Sequence, residues 1–157
     1  MRTSEAGIAL IKHFEGFSAL PYRCPAGYLT IGYGHLLTGA KGEPAQLDAA
    51  GAETLLRADL RLAEEAVGRL IARALAQCQF DALASFTFNL GAGALQRSTL
   101  RRCVDRGEDR GAAQQFLRWV FARGRKLPGL VRRRSAEAAL YQGFPRVCAV
   151  GQKAEDS

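Results

Sequence analysis

The stretch of residues 17–37 constrains the fold more than any other part of this sequence of 157 residues. It contains two prolines and three glycines, and its β-prone pieces are short, the clearest being residues 28–31. That composition interrupts any helix and predicts a small, twisted hairpin sheet. Residues 39–44 follow as a turn-rich loop. The chain therefore has to fold around one small patch of β-structure near its N-terminus.

Apolar residues at three- and four-residue spacing predict helices on both sides of this stretch. The predicted helices span residues 4–14, 52–71, 79–90, 98–106, 109–121 and 130–141. Ser4, and either Ser98 or Thr99, stand where they would cap two of them, and residues 91–93 predict a glycine turn. The sequence thus predicts an α+β, mainly α fold with a small β-hairpin lobe, a long connecting helix and a helical second lobe.

We expect a single domain over residues 1–150, because a chain of 157 residues can bury one proper core shared by two lobes. The β-containing lobe is predicted at about residues 15–50. The helical lobe is predicted at about residues 72–146, together with the N-terminal helix. Residues 151–157 are expected to form a frayed tail.

The composition excludes several classes of protein and of site. Hydrophobic residues make up 48% and charged residues 24%, as in ordinary globular proteins, and no apolar run approaches the roughly 20 residues that span a bilayer. No secretory signal is visible at the N-terminus. The four cysteines form no CxxC pair and have no histidine at metal-ligand spacing, so we expect neither a metal site nor a disulfide framework. Cys78 and Cys103 lie in apolar-periodic stretches and are predicted to be buried free thiols.

Charge is distributed unevenly along the chain. Residues 1–94 carry 8 basic and 9 acidic groups, whereas residues 95–146 carry 13 basic and 4 acidic groups, a surplus of nine positive charges. Such a surplus favours a polyanionic partner, either nucleic acid or an anionic cell envelope. A solvated basic face on the helices explains the same pattern equally well.

Glu15 stands where the first predicted helix ends and the hairpin region begins. From that junction its carboxyl can face a cleft between two lobes. A carboxylic acid that protonates a leaving oxygen is one of the two groups that glycoside hydrolysis requires. By itself, the position also fits a solvated carboxylate at a helix end.

The residues around Glu15 make the interpretation more specific. Cys24 follows it by nine residues and Thr30 by six more, and Thr30 opens the run Thr-Ile-Gly-Tyr-Gly-His. Further along, residues 80–91 and 127–134 form two more blocks in the same order. These motifs resemble the phage lysozymes of glycoside hydrolase family 24, whose signature is a Glu, an Asp or Cys nine residues on, and a Thr six residues further. The resemblance covers residues from about 5 to 144 and implies a lysozyme-like fold.

The resemblance implies a role for each residue at a matching position. Glu15 would protonate the glycosidic oxygen between N-acetylmuramic acid and N-acetylglucosamine. Cys24 and Thr30 would direct a water to the opposite face of the sugar. Asn89 and Gly32 would bind substrate, Asn89 through an acetamido group, although Asn89 could instead cap the end of its helix.

Cys24 differs from the Asp that Asp-type members of the family have at this position, and it leaves the mechanism open. An aspartate is ionised at neutral pH, whereas an ordinary thiol, with a pKa of about 8.5, is mostly protonated. Three roles remain: the thiol orients the water, the thiolate acts as base, or the sulfur attacks the sugar covalently. The last role would give retention instead of inversion at the anomeric carbon.

Other single residues have structural interpretations. The resemblance puts His35 at the end of the hairpin, facing an acidic position of the connecting helix held here by Asp59. We expect an ion pair between the two. Trp119 is predicted to lie in the core. Arg132 and Arg133 begin the last helix opposite the proton donor, where one could hydrogen-bond near it, but a run of three adjacent arginines more often forms a solvated face.

The resemblance therefore implies an endolysin that lyses host bacteria, acting as a muramidase on peptidoglycan without metal or cofactor. We expect a monomer, made in the host cytoplasm and acting on the wall in the periplasm, with an anionic envelope and a holin-type membrane permeabiliser as partners. One alternative is a lytic transglycosylase, which needs the Glu but no directed water. The other is a nucleic-acid binder, which the sequence disfavours because it has neither an aromatic-studded sheet nor a recognisable helix-turn-helix.

Overall fold

The computed structural model describes residues 1–144, so Cys148 and the predicted tail lie outside the described residues. In chain order the elements are α1 (Glu5–Glu15), β1 (Ser18–Arg23), β2 (Leu29–Gly32), β3 (His35–Leu36), α2 (Ala49–Leu70), α3 (Gln77–Leu90), α4 (Ala92–Arg97), α5 (Thr99–Asp105), α6 (Asp109–Phe116), β4 (Phe121–Ala122), β5 (Arg125–Lys126) and α7 (Pro128–Tyr141). The α+β, mainly α fold class is confirmed.

The small sheet has the antiparallel order β1-β2-β3. Thr30 lies in its middle strand, paired with Tyr22 on one side and Leu36 on the other. The turn between β2 and β3 contains Gly34 at φ +92°, a left-handed conformation that glycine adopts without steric cost. The predicted hairpin sheet is present, and residues 37–48 connect it to α2.

The long helix α2 connects the two lobes. Its N-cap is Asp48, whose side chain accepts a 2.7 Å hydrogen bond from the backbone N–H of Gly51, so the helix begins three residues earlier than predicted. One face of α2 buries Leu56 and Leu60 in a small core with α1 and the hairpin. Further on, Val67 belongs to the larger core of the helical lobe. The same helix thus supports both cores.

The helical lobe is built around α3, which contacts α1, α2, α4 and α7. Phe80, Leu83 and Phe86 of α3 are buried in its core. Trp119, predicted in the core, is partly buried and meets the Phe86 ring edge-on at 5.4 Å. Because α1 and α7 both pack on α3, the two ends of the domain meet over this helix.

Two segments differ from the prediction. The helix predicted over residues 109–121 ends at Phe116, and a hairpin of β4 and β5 follows, because Arg123 and Gly124 adopt φ +50° and +73° and reverse the chain. The glycine turn predicted at residues 91–93 contains the start of α4, a short helix anchored by the fully buried Leu95. Both differences arise from tertiary packing and turn geometry that apolar spacing does not report.

Polar caps and thiols agree with the prediction only in part. Ser98 caps α5 by accepting a 2.9 Å bond from the Arg101 N–H. Ser4 occupies the N-cap position of α1, but its hydroxyl donates to the Asp81 carboxylate and caps nothing. Cys103 is buried, and burial raises the pKa of its thiol. Cys78, predicted to be buried, is only partly covered because it lies in the first turn of α3.

Candidate active site

Glu15 is the last residue of α1 and lies between the two lobes. Gly16 ends the helix at φ +73°, and its N–H donates to the Lys12 carbonyl at 3.1 Å. The Glu15 side chain is 22% exposed, so solvent reaches the carboxyl even though protein surrounds most of it. The end of α1 therefore places the Glu15 carboxyl where protein surrounds it on most sides and solvent can still reach it.

Two different elements face the two oxygens of this carboxyl. Arg133 Nη1 of α7 donates to Oε1 at 2.6 Å, and the arginine side chain is only 5% exposed. Oε2 points toward the hairpin turn, where a Cβ built on Gly34 would come within 3.9 Å of it. Arg133 thus binds Oε1, and Oε2 remains beside Gly34 in the β2–β3 turn.

Thr30 and Cys24 belong to the β1–β2 hairpin of the same small sheet. Thr30 is buried in the sheet, and its hydroxyl donates to the Tyr22 carbonyl at 3.2 Å. Cys24 directly follows β1 and is partly exposed in a tight turn, where its carbonyl accepts from the Gly27 N–H at 2.8 Å. Both predicted water-directing residues thus lie on one hairpin, at positions fixed by backbone pairing.

A buried ion-pair network lies behind Arg133. Arg133 Nε contacts Glu137 Oε1 at 3.2 Å, and Arg134 Nη1 contacts Glu137 Oε2 at 3.0 Å. Ser85 of α3 donates its hydroxyl to Glu137 Oε1 at 2.7 Å. Burial raises the pKa of the Glu137 carboxyl, and the two guanidinium groups oppose that rise.

The prediction of a solvated arginine face is therefore wrong for two of its three residues. Arg132 is exposed, but Arg133 is 4% and Arg134 0% exposed. The cause is the helical period, which turns both inward beside the buried Glu137. Sequence reasoning missed Glu137, although its spacing of three and four residues from the two arginines is that of helical ion pairs.

Asn89, predicted to bind substrate or to cap its helix, contacts this network. Its side-chain oxygen accepts a 2.5 Å bond from Arg134 Nη2, which leaves the two amide hydrogens of Nδ2 for other partners. Among the described residues the end of α3 is closed by backbone instead, with the Gly91 N–H donating to the Thr87 carbonyl at 2.8 Å.

Gly32, the second predicted substrate residue, packs against α2. It has φ +65°, and a Cβ built there would lie 3.1 Å from the Cβ of Ala52. Close approach of the sheet to the connecting helix explains a glycine at this position without any ligand.

His35 and Asp59 are in contact, linking β3 to α2. His35 Nδ1 lies 2.8 Å from Asp59 Oδ2 and 3.0 Å from Oδ1, and both side chains are partly exposed. Neither residue contacts the Glu15 carboxyl in the contacts above. The pair therefore joins the sheet to the connecting helix and takes no part in the contacts of the Glu15 carboxyl.

We expect His35→Asn and Asp59→Asn each to lower the free energy of unfolding by about 1 kcal/mol and to be non-additive, because each removes the same contact. Urea unfolding of both single variants and the double variant measures the coupling. Losses that simply add would contradict a direct energetic link between the two side chains.

Two other kinds of feature are absent from residues 1–144. No group of three or more His, Cys, Asp or Glu side chains in this range is arranged to hold a metal ion. No helix in the same range combines the length and apolar character needed to cross a membrane.

Comparison with known sequences gives a consistent set of relatives. A family profile described as Phage lysozyme matches residues 12–137. The endolysin of Bacillus phage B103 is 42% identical over 144 residues, which is 90% of this chain and 54% of that protein. The endolysin of Acyrthosiphon pisum secondary endosymbiont phage 1 is 38% identical over 146 residues, covering 90% of this chain and 99% of that protein.

Solved structures similar to this chain come from the same kinds of protein as the sequence relatives. The muramidase domain of SpmX from Asticaccaulis excentricus superposes with a TM-score of 0.81 at 40% identity, covering 89% of this chain and 97% of that one. A P22 lysozyme structure gives 0.81 at 34% identity, with 90% and 99% covered. The chain spans just over half the length of the endolysins of Bacillus phages B103 and PZA, 54% and 57% respectively.

Proposed function

The chain belongs to the phage lysozyme family, and we propose that it is a muramidase that hydrolyses the β-1,4 bond between N-acetylmuramic acid and N-acetylglucosamine in peptidoglycan. The observation that carries the proposal is the Glu15 carboxyl. One of its oxygens is held by Arg133, and the other faces Gly34 in the turn between β3 and β2, the strand that bears Thr30.

Glu15 supplies the proton for the leaving group. Because Arg133 Nη1 donates to Oε1, the acidic proton resides on Oε2, the oxygen on the hairpin side. This proton passes to the glycosidic oxygen as the bond from that oxygen to the anomeric carbon breaks. A positioned acid of this kind typically accelerates such a step by about 10²–10⁴-fold.

Thr30 and Cys24 then share the two hydrogens of the attacking water. The Thr30 hydroxyl already donates to the Tyr22 carbonyl, so its oxygen is free to accept a hydrogen bond but has no proton to give. The other water hydrogen is directed to the Cys24 sulfur, whose thiolate form takes the proton as the water oxygen attacks the anomeric carbon. In this arrangement Cys24 is the base and Thr30 fixes the direction of the water, which gives inversion.

Asn89 is suited to bind an acetamido group of the sugar. Arg134 engages its side-chain oxygen and so fixes the orientation of the amide, leaving the Nδ2 hydrogens as donors for a carbonyl oxygen. We retain Asn89 as a substrate-binding residue on this ground. For Gly32, the same assignment rests on the family resemblance alone.

Analysis of the digestion products tests the proposed reaction. Purified peptidoglycan treated with the protein is expected to release muropeptides with a reducing N-acetylmuramic acid end, lengthened by one water per bond cut. Anhydro-sugar ends, lighter by one water, would instead identify a lytic transglycosylase. Mass spectrometry distinguishes the two products, and released stem peptides with intact glycan would contradict both.

The cellular role follows from the proposed activity. An enzyme with this specificity acts on the cell wall, and we propose that it lyses the host as a monomer once a holin-type partner has opened the inner membrane.

The anionic envelope is its second partner. The chain has no acidic residue from Arg110 to Ala136, and the exposed β4–β5 hairpin in that interval carries Arg123, Arg125 and Lys126.

Neutralising this hairpin is expected to slow lysis of whole cell envelopes at low salt. We expect the triple variant Arg123→Gln, Arg125→Gln, Lys126→Gln to lose about threefold to tenfold of the lysis rate at about 0.01 M salt. The difference should nearly vanish at about 0.15 M, where the Debye length is near 8 Å. Turbidity clearance across a salt series, with turnover of soluble glycan strands alongside, makes the measurement.

The matched control removes three positive charges from the nearly neutral part of the chain. Lys41→Gln, Arg61→Gln, Arg69→Gln changes the net charge equally at exposed positions of that region. An equal loss in this control would mean that total charge, and not the hairpin, governs attraction to the envelope.

A further inference from the structure

Glu137 is a buried carboxyl that the proposed reaction does not use. The Glu137 side chain is 0% exposed and belongs to α7. On the solvent-facing side of the same helix, a carboxylate would keep its hydration and would have no desolvation cost. Removing a carboxylate from water is costly unless cationic and hydrogen-bonding partners compensate. Glu137 has such partners in two arginines and a serine, so the question is what this costly arrangement holds in place.

One guanidinium group connects Glu137 directly to the proposed acid. Arg133 Nε lies 3.2 Å from Glu137 Oε1, and Arg133 Nη1 lies 2.6 Å from Glu15 Oε1. The guanidinium group is planar and rigid, so fixing Nε also fixes the direction in which Nη1 points. The orientation of the contact to Glu15 therefore depends on where the Glu137 carboxylate stands.

Glu137 is itself held from two sides. The Ser85 hydroxyl donates to Oε1 at 2.7 Å from α3, and Arg134 Nη1 contacts Oε2 at 3.0 Å. Arg134 is fully buried, lies over the Phe86 ring at 5.1 Å and also donates to Asn89. These contacts join α7 to the central helix of the lobe, so the carboxylate has little freedom to move.

We propose that Glu137 is a positioning residue for Glu15, acting through Arg133 to keep Oε2 aimed at the leaving oxygen; this rests on the proposed muramidase function. When Glu15 carries its proton it is neutral and a weaker partner for a guanidinium group. Glu137 then remains as the ionic partner that keeps Arg133 in place. The acid is thus held in the same orientation before and after it gives up its proton.

The test compares Glu137→Gln with a matched control, Glu64→Gln. Glu64 is also buried, at 7% exposed, and its carboxylate binds Arg2 Nη1 at 2.7 Å and the Thr3 N–H at 2.8 Å, outside the candidate active site. Each substitution removes a buried charge from an arginine, and both are expected to lower Tm. Both variants are assayed on soluble, uncross-linked glycan strands at a temperature well below the lower of their two Tm values. Relative to wild type, kcat should fall about tenfold to a hundredfold for Glu137→Gln, with KM within about twofold, and should not fall for Glu64→Gln.

Circular dichroism gives the folded fraction of each variant, so kcat is expressed per folded molecule. Should Glu137→Gln not fold, Ser85→Ala provides the test, because it removes one donor to Glu137 and leaves both ion pairs. Its kcat should fall about threefold to tenfold, the range that corresponds to the net contribution of a typical intramolecular hydrogen bond. A folded variant with kcat within about twofold of wild type would overturn the positioning role.

Glu15→Gln separates failure of this inference from failure of the proposed function. If wild type cleaves the strands and Glu15→Gln does not, the muramidase assignment stands whatever Glu137→Gln does. If wild type itself fails to cleave, the proposed function and the positioning role are both refuted.

Discussion

Glu15→Gln is expected to abolish cleavage of peptidoglycan while leaving the fold intact. The amide keeps the shape of the side chain and can still accept the hydrogen bond from Arg133 Nη1, but it has no acidic proton to donate. The other carboxyl described in contact with Arg133 is that of Glu137, which is fully buried and therefore cannot reach a substrate in place of Glu15. We therefore expect kcat to fall at least about 10³-fold, measured as reducing ends released from soluble glycan strands.

The melting temperature provides the control for this variant. Glu15 is partly exposed, so loss of its charge should shift Tm by only a few degrees. Activity within about tenfold of wild type at unchanged Tm would show that Glu15 is not the general acid, and the site assignment would have to be abandoned.

Cys24→Ala is expected to cause the second-largest loss, about 10²-fold or more in kcat, because alanine can neither accept a proton nor orient a water. Cys24→Asp should retain activity, since a carboxylate can do both at neutral pH. The two variants are measured on the same glycan strands as wild type. Nearly full activity in Cys24→Ala would remove the sulfur from the mechanism and leave Thr30 as the only residue directing the water.

The stereochemistry of the first product separates the two water-directing roles of Cys24 from covalent attack by its sulfur. A directed water gives the inverted α-anomer, visible by proton NMR before mutarotation, whereas covalent attack by sulfur gives the β-anomer. We expect inversion, because the Thr30 hydroxyl has its hydrogen engaged by a backbone carbonyl and is left as an acceptor for water. A β-anomer together with a trapped sugar–cysteine adduct would establish the nucleophilic role and leave the muramidase assignment intact.

Most of the architecture could be predicted from residue spacing. Prolines and glycines in residues 17–37 predict the three-stranded sheet there, and apolar periodicity identifies the long helix α2 and the buried helix α3. The β4–β5 hairpin was not predictable in this way. Apolar residues continue through Phe121 at helical spacing, and only the left-handed conformation of Arg123 and Gly124 turns the chain back.

The candidate site was predictable where its residues are close in sequence. Glu15, Cys24 and Thr30 lie within sixteen positions, and the match of their spacing to the family signature predicts a shared site. The arginine that holds the acid comes from α7, and a run of three arginines does not reveal which of them is buried. That depends on the phase of the helix against Ser85 and Asn89 of α3, which only the packed structure shows.

The contact between Glu15 and Arg133 joins residues 118 positions apart in the chain. A chain still on the ribosome that lacks α7 has the proposed proton donor and the small sheet but lacks Arg133, which contacts the Glu15 carboxyl. Contacts of such long range form late, after the entropy of closing the intervening loop has been overcome. Competence to cut the wall should therefore arise only when the last helix docks, and nascent or C-terminally truncated chains should be catalytically silent even where their first lobe has formed.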